Sequence, residues 1–310
     1  MGTSKNNVRG RVLIFIIVFL ALTNTFTLVK NLQYKSSLSE RYSPIHDTII
    51  QYNKKRLAII AAGQSNIDGR CEFSLFPSEM PNPNPSVRFC KNRNGSFSGF
   101  NINDEGEGKG WGFDAVVYNL LTNPAYGHLD TIYVMKKSMG ATSIDLEGAS
   151  KYHWTASFDK FPDMSYSLLN EFETIIRACK ESTGENFDIK VFIWHQGEGD
   201  YGTRSVELRY YDNLKSLIAH VRNTVGNANL PVITASISHK STQYSAIIEA
   251  AQKRLAEEDN NFYLIDMSDA ELKDDYHFNS DWSTYLGEMV YNQMVEIGVV
   301  DGNKVIVKKP

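Results

Sequence analysis

From residue 56 onward, the chain alternates short apolar runs with amphipathic helical stretches, and this order limits its fold more than any other feature. Apolar runs of this length, bounded by glycine and polar residues, are typical of strands buried on both faces. Strands that alternate with helices form a parallel sheet covered by helices on both sides. The pattern therefore predicts an α/β fold with strands at 57–62, 131–135, 189–194, 231–237 and 262–265.

Between these strands, apolar side chains recur at helical spacing and predict helices with one buried face. The last predicted helix covers residues 282–297. The segment 76–89 is rich in proline, and we expect it to be a surface loop because proline breaks both regular structures. The faces are formed by Leu168, Leu169, Phe172, Ile175, Ile176 and Cys179; by Leu214, Leu217, Ile218 and Val221; and by Ile247, Ala250, Ala251 and Leu255.

The composition excludes one class of partner. The 310 residues are 42% hydrophobic and 22% charged, which is ordinary for a globular protein. The formal net charge is −4, but residues 1–35 carry five Lys or Arg and no acid, so residues 36–310 sum to −9. Because this larger part shows no basic patch, we do not expect nucleic acid as a partner.

The N-terminal segment predicts an association with a membrane. Residues 12–29 are apolar and just long enough to span a bilayer, while their denser first part also suits the core of a signal peptide. No pair of small residues that would mark a cleavage site follows Leu22. We therefore expect a cytoplasmic tip and uncleaved anchor (1–30), a juxtamembrane stalk (31–55) and an extracytoplasmic folded domain (56–310), with secretion after cleavage as the alternative.

Three cysteines fit an oxidising compartment only loosely. Cys71 and Cys90 lie in one loop-rich segment and could pair, whereas Cys179 lies on a helical apolar face and is predicted to be a buried thiol. The odd count does not decide the redox state.

Candidate catalytic side chains follow the predicted strands. Ser65 comes directly after the first strand, Gln196 lies in "WHQGEGD" (194–200) after the third, and Asp274 and His277 lie beyond the last strand. Ligands of parallel α/β sheets bind at the carboxyl ends of the strands. The sequence therefore predicts that these side chains share one site.

Ser65 by itself has an ordinary explanation, because a serine after a strand usually forms a turn or caps a helix. Ile67 occupies the position where a nucleophile elbow needs glycine, which disfavours that class of hydrolase. The spacing of Asp274 and His277 is more telling. A carboxylate three residues before a histidine can accept from the histidine Nδ1–H, which leaves Nε2 for a serine hydroxyl. We expect the neighbouring Asp275 to face solvent.

The segment "WHQGEGD" admits two interpretations. His195, Glu198 and Asp200 raise the possibility of a metal site, but the helical H-E-x-x-H arrangement is absent and we predict none. A loop that lines a cleft is the better interpretation. There, the amide N–H of Gln196 could stabilise the oxyanion that develops during acyl transfer.

Taken together, several short segments resemble the SGNH (GDSL-like) hydrolases, and within them the group of carbohydrate esterase family 6 and the sialate O-acetylesterases. The resemblance covers residues 56–297 and implies a three-layer α/β/α fold around a parallel sheet of about five strands. It also implies a serine esterase mechanism that needs neither a metal nor another cofactor. The matching segments are "GQSN" (63–66), "GWGFDAVVYNLL" (110–121), "KKSMGATSI" (136–144), "WHQGEGD" (194–200) and "DDYHFNSDWSTYLG" (274–287).

By position, the resemblance makes Ser65 the nucleophile, His277 the general base and Asp274 its orienting partner. It assigns the oxyanion hole to the backbone N–H groups of Ser65 and Gly140 and to the side chain of Gln196. Related sequences usually show a glycine pair at the second of these places, whereas this chain has a single glycine.

The predicted function is therefore the removal of O-acetyl groups from a carbohydrate, either sialic acid or another acetylated glycan, by a membrane-anchored extracytoplasmic enzyme. The candidate substrate-binding residues are Gln64, Asn66, Glu198 and Trp154. Trp154, with Trp111 and Tyr152, could stack on a sugar ring or simply pack at the surface. The alternatives are a catalytically silent glycan-binding module and an esterase for lipid or cell-wall esters.

Overall fold

The computed structural model describes residues 56–104, 106–148, 150–160, 163–183 and 187–310. The predicted tip and anchor (1–30) and the predicted stalk (31–55) lie outside the described residues. Within the described ranges, no helix combines the length and the apolar character that crossing a membrane requires.

A single sheet of seven strands organises the described residues, in the order β3-β2-β4-β1-β5-β6-β7. Neighbouring strands run parallel except for β2 and β3, which are antiparallel. This confirms the predicted α/β fold, and the five predicted strands correspond to β1, β4, β5, β6 and β7. The strands are β1 (Arg56–Gly63), β2 (Asn84–Cys90), β3 (Ser98–Phe100), β4 (Ile132–Ser138), β5 (Phe187–His195), β6 (Val232–Ala235) and β7 (Phe262–Ile265).

Helices cover both faces of this sheet. Successive residues of β1 alternate between the two cores: Ile59 packs with α2 and α6 on one face, and Ile60 packs with α3, α4 and α5 on the other. The three-layer α/β/α arrangement follows from this alternation. The helices are α1 (Ser65–Asp68), α2 (Phe113–Thr122), α3 (Leu168–Ser182), α4 (Arg204–Val225), α5 (Ala246–Glu258) and α6 (Ser280–Glu296).

The two strands that the sequence did not predict form one edge of the sheet. The prediction of a surface loop over 76–89 is wrong for the part from Asn84 onward, which belongs to β2. Proline cannot donate to a ladder of hydrogen bonds, but β2 pairs with β4 only from Val87, beyond Pro85. The strand therefore tolerates a proline near its start.

Cys71 and Cys90 do not form a disulfide with each other. Cys71 lies in the core under α6, where its thiol donates to the Ser283 hydroxyl over 3.1 Å. Cys90 lies in the core on the other side of the sheet, together with the buried Cys179. The prediction that Cys179 is buried is confirmed. The sequence left the pairing of Cys71 with Cys90 open, because separation along the chain does not indicate the face of a sheet on which a residue lies.

A buried ion pair supports the first turn after β1. The Lys136 ammonium lies 2.7 Å from the Asp114 carboxylate and donates over 2.6 Å to the carbonyl of Ile67 in α1. Both charged side chains are at most 1% exposed. The Tyr118 hydroxyl also donates to Asp114, over 2.7 Å. One lysine thus joins β4, α2 and the turn that carries Ser65.

We expect Lys136→Met to lower the free energy of unfolding by about 3–5 kcal/mol, because it leaves the Asp114 carboxylate buried without its cation. Neighbouring Lys137 is the matched control. Its contact with Glu171 is partly exposed, so Lys137→Met should change stability by less than about 1 kcal/mol. Denaturant unfolding of the purified variants measures both effects, and equal losses would show that the buried pair has no special role.

Candidate active site

The end of β1 approaches the end of β5 too closely for any side chain. A Cβ on Gly63 would lie 2.1 Å from the His195 carbonyl oxygen, and the φ of Gly63 is +144°. The next backbone N–H, that of Gln64, donates to the same carbonyl over 2.9 Å. Glycine is therefore required here, and the contact turns the chain into α1 at the carboxyl end of the sheet's central strands.

Ser65 is the first residue of α1 and is only 6% exposed. The carbonyl of Gln64 accepts from the backbone N–H of Asp68 over 2.8 Å and closes the first turn of the helix. The N–H groups of a first turn have no partner within their own helix. The backbone N–H of Ser65 therefore needs a partner outside α1, and its role as an oxyanion donor stays a prediction.

His277 is held by the carboxylate of Asp274, as the spacing predicts. His277 Nδ1 lies 2.8 Å from Asp274 Oδ2, and Asp274 Oδ1 accepts from the backbone N–H groups of Tyr276 at 2.9 Å and His277 at 2.8 Å. Partial burial acts to raise the pKa of Asp274, but the bonds from His277 and from the two N–H groups outweigh it and hold that pKa below its usual range. The pair is thus a carboxylate that orients an imidazole.

The side chain of Asn66 joins the two parts of the site. Its Oδ1 accepts from the backbone N–H of Phe278 over 3.1 Å, and its Nδ2 lies 3.5 Å from the carbonyl of Tyr276. These are the residues on either side of His277. The structure therefore brings the turn of Ser65 and the segment of His277 together, although they are more than 200 positions apart.

Gly140 lies in the turn that follows β4, beside the end of β1. The backbone N–H of Met139 donates to the Gly63 carbonyl over 3.1 Å and fixes this turn. A Cβ on Gly140 would lie 2.3 Å from a guanidinium nitrogen of Arg70. The single glycine therefore allows Arg70, which is bound to Asp68 and Glu107, to pack over the turn.

Gln196 does not offer a free donor. Its Nε2 donates to the Asp200 carboxylate over 2.7 Å and to the Thr142 carbonyl over 3.1 Å, and the side chain is fully buried. An amide nitrogen has two N–H groups, and both are engaged here. Donation to an oxyanion would require one of these bonds to be exchanged, so the arrangement favours a structural role for Gln196.

Asp200 explains why Gln196 is held in this way. Burial raises the pKa of the Asp200 carboxyl to about 6, against the opposing effect of bonds from the backbone N–H groups of Asp145 and Ile144 and from Gln196. One carboxyl thus ties the loop after β4 to the loop after β5. The sequence suggested Asp200 only as a metal ligand and gave no sign of this bracing role.

The predicted substrate contacts of four residues are corrected by the bonds that their side chains make within the protein; like Ser65, none of the four is more than 6% exposed. Gln64 Oε1 accepts from the backbone N–H of Gly199 over 3.1 Å, and Asn66 Nδ2 donates to Glu198 over 2.9 Å. Trp154 is a core residue that packs edge-on against Trp194 and donates to the Thr142 hydroxyl. Polar residues around a nucleophile resemble ligand contacts in sequence, but here they bind one another.

One aromatic residue that was not among the predicted site residues stands at the site. Tyr276 is 39% exposed, and its ring lies edge-on to the ring of His277 with 5.9 Å between the centroids. Its position directly before the predicted base was the signal that could have singled it out. An exposed ring beside the base can contact a substrate. Of the other aromatic residues that the sequence suggested, Trp111 is fully buried and Tyr152 is half-buried.

The residues that raised the possibility of a metal site are not arranged as metal ligands in the part of the chain that the structure describes. There, no three His, Cys, Asp or Glu side chains are grouped as metal ligands would be. His195 Nε2 lies 3.5 Å from Glu198, while Asp200 accepts from three N–H groups instead.

A comparison with known families finds a match over most of the chain. The profile of a family described as "carbohydrate esterase, sialic acid-specific acetylesterase" matches residues 55–296. The chain therefore belongs to this family of carbohydrate esterases. A search of curated proteins finds no significant match.

Solved structures show the same fold at low identity. A protein of Arabidopsis thaliana is 20% identical with a TM-score of 0.59, over 78% of this chain and 99% of that one. NanS is 11% identical with a TM-score of 0.56, over 79% and 98%. A carbohydrate acetylesterase from Xanthomonas citri is 13% identical with a TM-score of 0.55, and the match covers 77% of this chain but only 56% of that enzyme. The predicted resemblance to the sialate O-acetylesterase group is confirmed by the family match, and these structures add the shared fold.

The hydrogen bonds to Asp274 lead to a specific prediction for the kcat of the Asp274→Asn variant. Because the backbone N–H groups of Tyr276 and His277 require an acceptor at the Oδ1 position, the new amide nitrogen must face His277 Nδ1. His277 Nδ1 would then have to accept a hydrogen bond from this amide, so the imidazole proton moves to Nε2. The imidazole can then no longer act as the base for Ser65. We expect kcat to fall on the order of 10³–10⁴-fold, no less than for Asp274→Ala.

The solvent-exposed neighbour supplies the control, since Asp275→Asn should leave kcat unchanged. Steady-state kinetics on an acetate ester, with thermal unfolding to confirm folding, measures all three variants. An Asp274→Asn variant clearly more active than Asp274→Ala would show that the tautomer does not matter.

Proposed function

We propose that this protein is a serine esterase that removes O-acetyl groups from a carbohydrate, sialic acid or another acetylated glycan, through an acetyl-enzyme. The observation that carries the proposal is the Asp274–His277 pair, which lies in a segment that the side chain of Asn66 joins to the turn of Ser65. Membership in a carbohydrate esterase family supports the substrate class. The likeness to NanS and to the Xanthomonas enzyme adds only the fold, since both are distant.

In the proposed reaction, Ser65 Oγ attacks the acetyl carbonyl carbon while His277 Nε2 takes the hydroxyl proton. The oxyanion is stabilised by the backbone N–H groups of Ser65 and Gly140. His277 then protonates the sugar oxygen as the bond to the acetyl carbon breaks. Water attacks the acetyl-serine carbonyl and gives a proton to the same imidazole. The imidazole returns this proton to Ser65 Oγ as the bond between that oxygen and the acetyl carbon breaks, and acetic acid leaves.

The role of Asp274 follows from its electrostatics. The residue remains a carboxylate at neutral pH because its pKa is held low, so it can stabilise the imidazolium that forms in each half of the reaction. Tyr276 supports a carbohydrate substrate, because its exposed ring stands next to the base where the sugar must lie.

Replacing the nucleophile tests the proposal directly. We expect Ser65→Ala and His277→Ala each to lower kcat on the order of 10⁴-fold or more with folding intact, because each removes a group that takes part in bond making. The measurement is acetate release from a panel of acetylated sialic acids, acetylated xylan and acetylated cell-wall glycans. A fluorophosphonate probe should label the Ser65 peptide of the wild type and leave Ser65→Ala unlabelled.

Three outcomes would change the assignment. Undiminished release by Ser65→Ala would rule out the acyl-enzyme. Hydrolysis of lipid esters alone would move the enzyme to another acyl substrate. Binding of glycans without any ester hydrolysis would make the chain a silent glycan-binding module.

We also propose that residues 1–30 anchor the enzyme in a membrane with residues 56–310 outside the cytoplasm. The support is in the sequence: basic residues precede an apolar segment, and no cleavage site follows it. With a C-terminal tag, the full chain should remain in the membrane fraction and retain its N-terminus on sequencing. A soluble product that begins near residue 25 would show cleavage and secretion instead.

A further inference from the structure

Asn66 makes contacts that its place next to the nucleophile does not require. Its side chain points into the protein and is 6% exposed. Both of its polar atoms are used: Oδ1 by the Phe278 backbone N–H, and Nδ2 by Glu198 Oε1 at 2.9 Å and, more weakly, by the Tyr276 carbonyl. The Asn66 amide therefore binds the backbone on both sides of His277, and Glu198 in turn binds the amide.

Glu198 supplies that support as a buried charge. It is 2% exposed, and His195 Nε2 lies 3.5 Å from its Oε1. Burial acts to raise the pKa of Glu198, but His195 and the hydrogen bonds, including the one from Asn66, outweigh it and keep that pKa below its usual range. An ionised acceptor makes a stronger hydrogen bond than a neutral one, so the Asn66 amide has a well-defined orientation.

We propose that Asn66, oriented by Glu198, is a positioning residue that fixes His277 relative to Ser65. The inference rests on the proposed esterase function. It replaces the predicted substrate-binding roles of both residues, since both polar atoms of Asn66 and Oε1 of Glu198 are engaged within the protein. An error of about 1 Å in the placement of a catalytic group can cost on the order of 10²-fold in rate, so such a link has a measurable effect.

The test exploits the direction of the Asn66–Glu198 hydrogen bond. In Asn66→Asp, an oxygen replaces Nδ2 and faces the Glu198 carboxylate and the Tyr276 carbonyl, so attraction becomes repulsion. We expect kcat to fall by about 10²-fold, with KM changed by less than about threefold because no substrate contact is lost. In Glu198→Gln, the amide oxygen can still accept from Asn66, and kcat should fall by less than about tenfold.

The double variant Asn66→Asp/Glu198→Gln provides the rescue. It exchanges the two functional groups, so that Gln at 198 donates to Asp at 66 and the net charge stays that of the wild type. We expect kcat to recover to within about tenfold of the wild type, which gives a large coupling between the two positions. Fluorophosphonate titration normalises every rate to folded, reactive enzyme.

A second variant covers a failure of Asn66→Asp to fold. Asn66→Ala removes the acceptor for Phe278, so the peptide 274–279 should exchange its backbone hydrogens faster than in the wild type, while α6 exchanges at the same rate. Thermal unfolding of the same samples separates a local loosening from a global loss of stability.

Several results would overturn the proposal. These are a KM increase with unchanged kcat, a lower Tm with normal kcat per titrated site, a double variant no better than Asn66→Asp, or unchanged exchange in Asn66→Ala. A wild type without Ser65-dependent acetate release is a different result. It would refute the proposed function, and the exchange measurement would still decide whether Asn66 fixes the His277 segment.

Discussion

The close contact between Gly63 and the His195 carbonyl is the constraint on which the rest of the site depends. It joins the carboxyl ends of β1 and β5 at the centre of the sheet and turns the chain into α1 at Ser65. The loop after β5 is placed by the same contact, and it carries Gln196, Glu198 and Asp200. A residue with a Cβ at position 63 would separate the strands and move both halves of the site together.

The sequence predicted the layers of the fold because hydrophobic burial is visible in its periodicity. Apolar runs marked the five strands that are covered on both faces, and helical spacing marked the faces that cover them. The edge strands β2 and β3 were not predicted. They are short, and proline and glycine within them obscure the alternation that a half-covered strand shows.

The site was predictable where chemistry depends on local spacing and less so where it depends on packing. The Asp274–His277 pair follows from a separation of three residues, which a single turn of chain can close. The roles of Asn66, Glu198 and Gln196 depend on which buried atoms meet across the sheet, and no pattern along the chain indicates that. Polar residues near Ser65 were therefore interpreted as contacts to substrate, whereas in the structure Asn66 binds Glu198 and Gln64 binds the loop after β5.

The two ends of the predicted triad lie at different depths. Ser65 is nearly covered, whereas the side chains of His277 and Asp274 are 18% and 42% exposed. In the proposed reaction, the alcohol leaves past the imidazole that protonates it, on the more exposed side of the pair. A base exposed in this way does not require that the acetylated alcohol be fully enclosed. Under the proposed function, that alcohol therefore need not be a small free sugar.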